Sequence, residues 1–568
     1  MPPNRKDAVA FIRLKRVWTP EGGREWPAGT DAVLCEGSRI TFVGKTDDVE
    51  GLLQQRGMEG VKIFDCKGKY FLSPGFIDAH IHLIDSGKRM GWLDLHGITG
   101  REDFRSRLSK YLEENKEVLG TDGWVRGGGW NEAEMNGQSP NREWIDDLTK
   151  DRAVLLSRSD LHSALANSFA LNMAGVTKDS WDPPGGRIDK DMKGEPTGVL
   201  RERAQNLVKD HAPKKDSDLN VAMALERAQE VLFREGITQV HTMSSIDFET
   251  TPELEQLSEL DEKGLLKLRV VGAVRLNNWE DGVRLREMQI KKNETLPASR
   301  TPHLHFGACK CFLDGSLGSR TLAMLEPLLG QDVPVNGLLM EPINDVAFRA
   351  LKATEENLQL CFHAIGDLAV RHCIDIARAC AQVVQKGGLG PRKKVRIEHC
   401  QHIHPEDIPR MAELNMVASM QPLQLTGDTC DCDSLLGPER SKLGAFAFKS
   451  LRNAGVRVAF GSDWMVCYPD AVETLYIATE RKAMETNVPW HPEQALTMEE
   501  ALYAQTYAGA ETVDLEGEIG RVEPGFLADL TILADDPFIA DRSTLAAFRE
   551  QCHVVGTVVD GHVHYWKE

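Results

Sequence analysis

Residues 75–83 read GFIDAHIHL, an apolar run that ends in two histidines one residue apart, His80 and His82. In a strand, residues i and i+2 point the same way. The two imidazoles would stand side by side, about 7 Å apart along the strand, with Ile81 facing away. Two neutral imidazoles aimed at one point make half of a metal site. A bare H-x-H is more often a strand with two surface histidines, so the rest of the chain has to decide.

Further apolar runs also carry residues capable of chemistry. GITQVHT contains His241, HFGACKCFLDG contains Lys310, LQLCFHAIGD contains His363, KVRIEHCQ contains His399, and VRVAFGSDW ends at Asp463. Each has a bland alternative: a lone buried histidine is usually a hydrogen-bonded core residue, and GSD is a common turn. Helical stretches such as NVAMALERAQEVLFREG (220–236) and LAVRHCIDIARACAQVVQKGG (368–388) fall between many of them. In a (β/α)8 barrel, reactive groups gather at the carboxyl ends of the strands. The repeated order strand, reactive residue, helix predicts that fold. The residues His80, His82, Lys310, His363, His399 and Asp463 then form one metal site.

The elements that must hold such a site fit the size of the chain. At 568 residues it can bury a large core in more than one domain. Residues 1–72 and 508–568 are rich in short strands, with hairpins expected at AVLCEGSRITFVGK (32–45) and HVVGTVVDGHVHYW (553–566). They predict a small β-sandwich built from both chain ends. Residues 73–507 predict an α/β TIM-type barrel, with an inserted subdomain at about 85–235 after the first strand.

Composition is globular, 41% hydrophobic and 27% charged. A net charge of −19 argues against binding nucleic acid or an anionic membrane surface. No run approaches the roughly 20 apolar residues of a membrane span, and the first residues lack the apolar core of a secretory signal. The twelve cysteines are scattered, and neither CKC (309–311) nor CDC (430–432) has zinc-ribbon spacing. CDC reads as a solvent loop. A reduced, cytoplasmic protein is expected.

These motifs resemble the amidohydrolase superfamily of metal-dependent hydrolases, and within it the YtcJ-like branch, also called amidohydrolase family 3. The stretches that carry the resemblance are SPGFIDAHIH, GWNEAEM, SDLHSALANSFAL, GEPTGVL, KCFLDGSLGSRT, FHAIGD, RIEHCQ, MQP, GAFAFKSL, GSDW and VEPGFLADLTIL. The resemblance implies that His80 and His82 hold the more buried metal, and that His363 and His399 hold a second. Asp463 is implied as metal ligand and proton shuttle. Lys310 is implied as a carboxylated lysine bridging both ions; its alternative is a salt-bridged lysine near the barrel mouth. The chemistry is consistent with this. A metal lowers the pKa of bound water from about 15.7 to about 7, so hydroxide is available to attack at neutral pH. Carbamylation would turn an ammonium, which cannot ligate, into an anionic oxygen ligand. The cofactor is then a divalent metal, one or two ions per chain, with Zn²⁺ the expected ion and Mn²⁺, Fe²⁺ and Co²⁺ also compatible with these ligands.

Substrate contacts are less sharply marked. Asp160 and His162 read either as pocket residues or as a local capping network, with Asn167 as an N-cap or a polar contact. His241 reads as a pocket residue or a satisfied core histidine. Asp314, Arg320 and Asp367 either orient ligands or fix the loops after the strands. After MQP this branch often places a histidine where this chain has Gln424. The expected activity is hydrolysis of a C–N bond in a small linear amide, N-formyl or carbamate-like substrate. A deaminase or cyclic-amide hydrolase is the alternative, and a non-catalytic barrel scaffold a further one. A homodimer is compatible with the sequence.

Overall fold

The computed structural model describes all residues except 1–7, 21–25, 56–60, 120–122, 133, 136, 160–162, 185, 213–217, 244–250, 298–299, 319, 331–336, 389, 391, 483–486 and 568. The chain divides into two compact units, Met1–Leu83 with Ala228–Glu568, and Ile84–Arg227.

Eight strands of the first unit lie parallel, in chain order: β1 (Phe76–Ile81), β2 (Ile237–Thr242), β3 (Arg269–Arg275), β4 (Leu304–Phe312), β5 (Gln359–Ala364), β6 (Arg396–His399), β7 (Val417–Met420) and β8 (Arg457–Phe460). Their sequences are almost continuously apolar and buried, as in RVVGAVR of β3, because a parallel sheet is covered on both faces. The sheet closes where β8 leads back to β1. The Asp463 N–H donates to the His80 carbonyl at 2.7 Å, and the His82 N–H to the Trp464 carbonyl at 3.0 Å. Gly461 permits that approach: a Cβ there would lie 2.5 Å from the His80 nitrogen. The architecture is a TIM-type barrel.

The helix Asp367–Lys386 between β5 and β6 shows how the barrel is covered. Ala369, Val370, Cys373, Ile374, Ala377 and Cys380 recur at helical spacing and are buried. Helix Tyr507–Thr512 also belongs to the barrel, since Ala508 packs with Ala79 and Ala459, and Ala510 with Ile77. The break in pattern near residue 508 therefore marks a change of local composition and not the edge of the barrel core.

The extra β domain has two sheets. One contains Ala8–Ile12, Ala32–Glu36, Arg39–Gly44 and Lys62–Asp65; the other contains Arg16–Val17, Phe71–Pro74, Leu530–Leu533, Val554–Val559 and His562–Trp566. Phe11, Val33, Phe64, Leu72, Leu530, Ile532 and Val558 share its core. Both expected hairpins form, closed by Gly37 and by Asp560-Gly561 in left-handed backbone. Removal of the last 50 residues deletes three of the five strands of the second sheet and bares Leu72. The truncated chain should fail to give a cooperative melt; a soluble, active truncation would refute that dependence.

The second unit holds a six-stranded sheet in the order Gly186–Lys190, Pro196–Glu202, Ser163–Ala166, Val154–Arg158, Val125–Trp130, Leu93–Asp94. One expectation is corrected. CDC is not a loop but part of the helix Leu425–Leu436, with Cys430 exposed and Cys432 buried, the sixth and eighth residues of a helix whose pattern LTGDTCDCDSLL disguises with polar residues. Among the described residues, no helix is long and apolar enough to cross a membrane.

Candidate metal centre

His80 lies on β1 and His82 just beyond it, and the alternation of the strand turns both to the same side. Asp463 meets them from the end of β8. Its Oδ1 lies 3.4 Å from His80 Nε2 and 3.3 Å from His82 Nε2. The three side chains are buried and their donor atoms lie within 4.8 Å of one another. Each residue of GSD contributes. Gly461 admits the close approach, the Ser462 hydroxyl donates to Asp78 Oδ2 at 2.5 Å, and Asp463 turns toward the histidines at a φ of 57°. A non-glycine residue in this left-handed region stores about 1–3 kcal/mol of strain, held here by the closing hydrogen bonds.

The other expected ligands converge on the same place. Lys310 Nζ on β4 lies 3.4 Å from His80 Nε2. The His399 ring, at the end of β6, is 5.0 Å from that of His80 and 4.4 Å from that of His363 on β5. The Gly315 carbonyl lies 3.3 Å from His363 Nε2, so the proton belongs there and Nδ1 is left with its lone pair.

Burial sets the charge states. It pushes His80 and His363 well below the ordinary histidine range, with Lys310 adding to the effect at His80 and His399 at His363. It lowers His399 as well. Neutral imidazoles are the form that ligates. Burial also brings the Lys310 amine down to about 8. At Asp463 burial alone would raise the carboxyl, but His80, His82 and His399 outweigh it and hold it below the usual carboxylate range.

A divalent cation fits this donor set. Two ligands at 2.0–2.1 Å on a tetrahedral ion are separated by roughly 3.4 Å, which matches the spacing of both imidazole nitrogens from Asp463 Oδ1. The buried Nδ1 atoms of His82 and His399 also have no hydrogen-bond partner among the described residues.

The remaining candidates are distributed unevenly. Gln424 Nε2 donates to Asp463 Oδ2 at 2.9 Å, so it adjoins the cluster. Asp314 accepts from the Ile365, Gly366 and Ala323 amides and lies 3.8 Å from His363 Nε2; it fixes the loops after β4 and β5 and sits beside a proposed ligand. Asp367 accepts from the Leu325 amide at 2.7 Å, a loop-fixing contact. Arg320 is exposed, in left-handed backbone. His241 is fully buried inside the barrel against Gln239 and Arg396, which is the core-histidine alternative. Asn167 caps the helix Ser168–Met173, its Oδ1 accepting from the Ala170 amide at 2.9 Å. Asp160 and His162 lie outside the described residues.

Two residues were not singled out from sequence. Glu398 Oε2 lies 2.7 Å from His80 Nδ1, and Asp78 Oδ1 accepts from the His80 and Ser462 amides. Asp78 was findable, since it precedes His80 by two in the same strand.

A parallel barrel with imidazoles, a carboxylate and a lysine gathered at its strand ends defines a metal-dependent hydrolase. The chain belongs to the amidohydrolase family, whose model matches residues 62–565. It is 32% identical to Protein LONG AFTER FAR-RED 3 of Arabidopsis thaliana, over 90% of this chain and 86% of that protein. It is 30% identical to YtcJ of Bacillus subtilis (strain 168), over 95% and 96%. It is 26% identical to the N-substituted formamide deformylase of Arthrobacter pascens, over 94% of each. A solved metal-dependent hydrolase of Pyrococcus furiosus, uncharacterized by its own description, superposes with a TM-score of 0.73 at 26% identity, covering 94% of this chain and all of that one.

Proposed function

We propose that this protein hydrolyses a C–N bond in a small linear amide, N-formyl or carbamate-like substrate. The observation that carries the reading is the convergence of His80, His82, Lys310, His363, His399 and Asp463 at the strand ends of one barrel. Likeness to a formamide deformylase along nearly the whole chain supports the bond class. Retention of all six side chains speaks against a non-catalytic scaffold.

A bound divalent ion, or a pair, would supply an activated water and an electrophile for the carbonyl oxygen. His80 and His82 would hold the more buried ion, and His363 and His399 the second. Lys310, carboxylated on Nζ, would bridge them. Asp463 would keep Oδ1 toward the imidazoles and use Oδ2, steadied by Gln424, to take the proton of the attacking water. It then returns that proton to the leaving nitrogen as the C–N bond breaks. The Gln424 amide, beside the reacting groups, would also contact the acyl or amine portion of the substrate, with Asp314 steadying the His363 side.

The test is elemental analysis of freshly purified parent, His80→Ala/His82→Ala and Lys310→Ala proteins, followed by assay against N-formyl and N-acyl amines. Two ions per chain are expected in the parent. The histidine variant should lose metal and activity together, and Lys310→Ala should lose about half of the metal or more. Full activity in a metal-free variant would defeat the reading. One ion per chain, unchanged in Lys310→Ala, would remove the bridging lysine and bring ammonia release from an amino-substituted ring forward as the next assay.

A further inference from the structure

Beneath the six clustered side chains the barrel interior holds a run of polar residues that the reaction does not use. Arg396 and Glu398, two apart on β6, both turn inward and are buried, at 1% and 0% exposure. Arg396 reaches three groups on three other strands of the barrel. Its Nη2 donates to the Ala79 carbonyl of β1 at 2.5 Å and to Ser419 Oγ of β7 at 3.1 Å, and its Nη1 meets His241 Nδ1 of β2 at 2.9 Å. It also pairs with Glu398, Nε to Oε1 at 2.8 Å and Nη2 to Oε2 at 3.2 Å. Glu398 Oε2 then meets His80 Nδ1 at 2.7 Å. On the far side the Gln239 carboxamide lies 3.0 Å from His241 Nε2. A buried ion pair is a poor stabiliser compared with apolar packing of the same volume, so its presence calls for another reason.

The chemistry of the donors supplies one. A guanidinium can only donate. His241 Nδ1, facing Arg396, must therefore accept, and the proton of that neutral ring sits on Nε2; the Gln239 carboxamide, whose Nε2 lies 3.0 Å away there, must then be turned over to offer Oε1, which has no other partner among the described residues. Glu398 is held as a carboxylate by the guanidinium, its Oε2 accepting from Nη2 while Oε1 stands 2.8 Å from Nε as an ion pair. The remaining lone pair on Oε2 can only accept from His80, which places the His80 proton on Nδ1. The lone pair of His80 Nε2 is then left facing Asp463 and His82.

We propose that Arg396, acting through Glu398, is a positioning residue that fixes His80 in the Nδ1–H tautomer, and through the opposite contact fixes His241 as Nε2–H. One guanidinium thus holds two imidazoles in opposite proton states, and the first of them is the one that must offer Nε2 to a cation. The carboxylate also raises the basicity of the ligating nitrogen. This rests on His80 being a metal ligand, as proposed above.

The decisive experiment is a joint X-ray and neutron structure of the metal-free parent protein after deuterium exchange. Deuterium on His80 Nδ1 and on His241 Nε2 is expected; deuterium on His80 Nε2 overturns the proposal, whatever the metal content of the native enzyme. A second measurement uses Glu398→Met, which removes the acceptor facing His80 Nδ1 and keeps a side chain of similar length. Zinc affinity, read by chelator competition, should fall about 10- to 100-fold. Unchanged affinity in this variant overturns the relay, whereas absence of metal from the parent would instead overturn the metal-site reading.

Discussion

Asp463→Asn should lower turnover by about 10²–10⁴-fold, measured at saturating metal with the best substrate found. The substitution keeps the shape of the side chain and removes the base. Asp463 stands at the junction of the cluster, with Oδ1 between His80 Nε2 and His82 Nε2 and Oδ2 against Gln424. An asparagine amide would direct a donor either at the two imidazoles or at Gln424, and neither end could carry a proton from water to a leaving nitrogen. Its backbone contacts, the Asp463 N–H to the His80 carbonyl among them, would persist. The melting temperature should therefore stay near that of the parent while catalysis collapses. A variant within tenfold of the parent rate would mean that another group carries the proton.

The second large effect concerns stability. Arg269, at the start of β3, is almost wholly buried. Its Nε lies 2.5 Å from Asp529 Oδ2, its Nη2 3.0 Å from Asp560 Oδ1, and its Nη1 donates to Thr301 Oγ1 and the Pro302 carbonyl. This joins the barrel to the strands of the β domain that follow residue 528. Arg269→Met would leave two buried carboxylates without their cation, a loss of about 3–5 kcal/mol, read as a fall in apparent melting temperature. The acid response should change too. Burial alone would raise the Asp560 carboxyl, but the His303 ring 3.6 Å away, the charge of Arg269 and the Thr301 hydroxyl hold it below its ordinary value. The folded value lies below the unfolded one of about 3.9, so the stabilisation is complete above pH 4 and is lost as pH falls through the folded value. The parent should lose melting temperature below pH 4 more steeply than Arg269→Met. Parallel acid profiles would show that the cluster contributes nothing through charge.

The barrel was legible in the sequence because its strands are apolar on both faces and end in polar residues, and H-x-H followed by GSD brought the two ends of the sheet together. What strand alternation could not supply was the geometry of RIEHC. By parity Arg396 and Glu398 share one side and His399 takes the other. The left-handed backbone at His399 and Cys400, with φ of 72° and 45°, breaks that rule at the strand end. Glu398 inside the barrel and His399 in the cluster can therefore both serve, and Glu398 reads from sequence as one more charged residue. His241 was ambiguous for a related reason. A strand-end histidine looks alike whether it faces a substrate or an arginine, and the partner that decides, Arg396, is 155 residues away.

The pairing of Phe71–Pro74 with Leu530–Leu533 has a consequence for how the chain is made. At roughly 5–20 residues per second, the ribosome would add the intervening stretch in on the order of half a minute or more. For that interval the early strands have an open edge and a bare apolar face, the state most prone to mispairing with other chains. Biosynthesis should therefore be limited by protection of the nascent chain, and yield should respond to chaperone supply and to slower translation more than to the stability of the finished barrel.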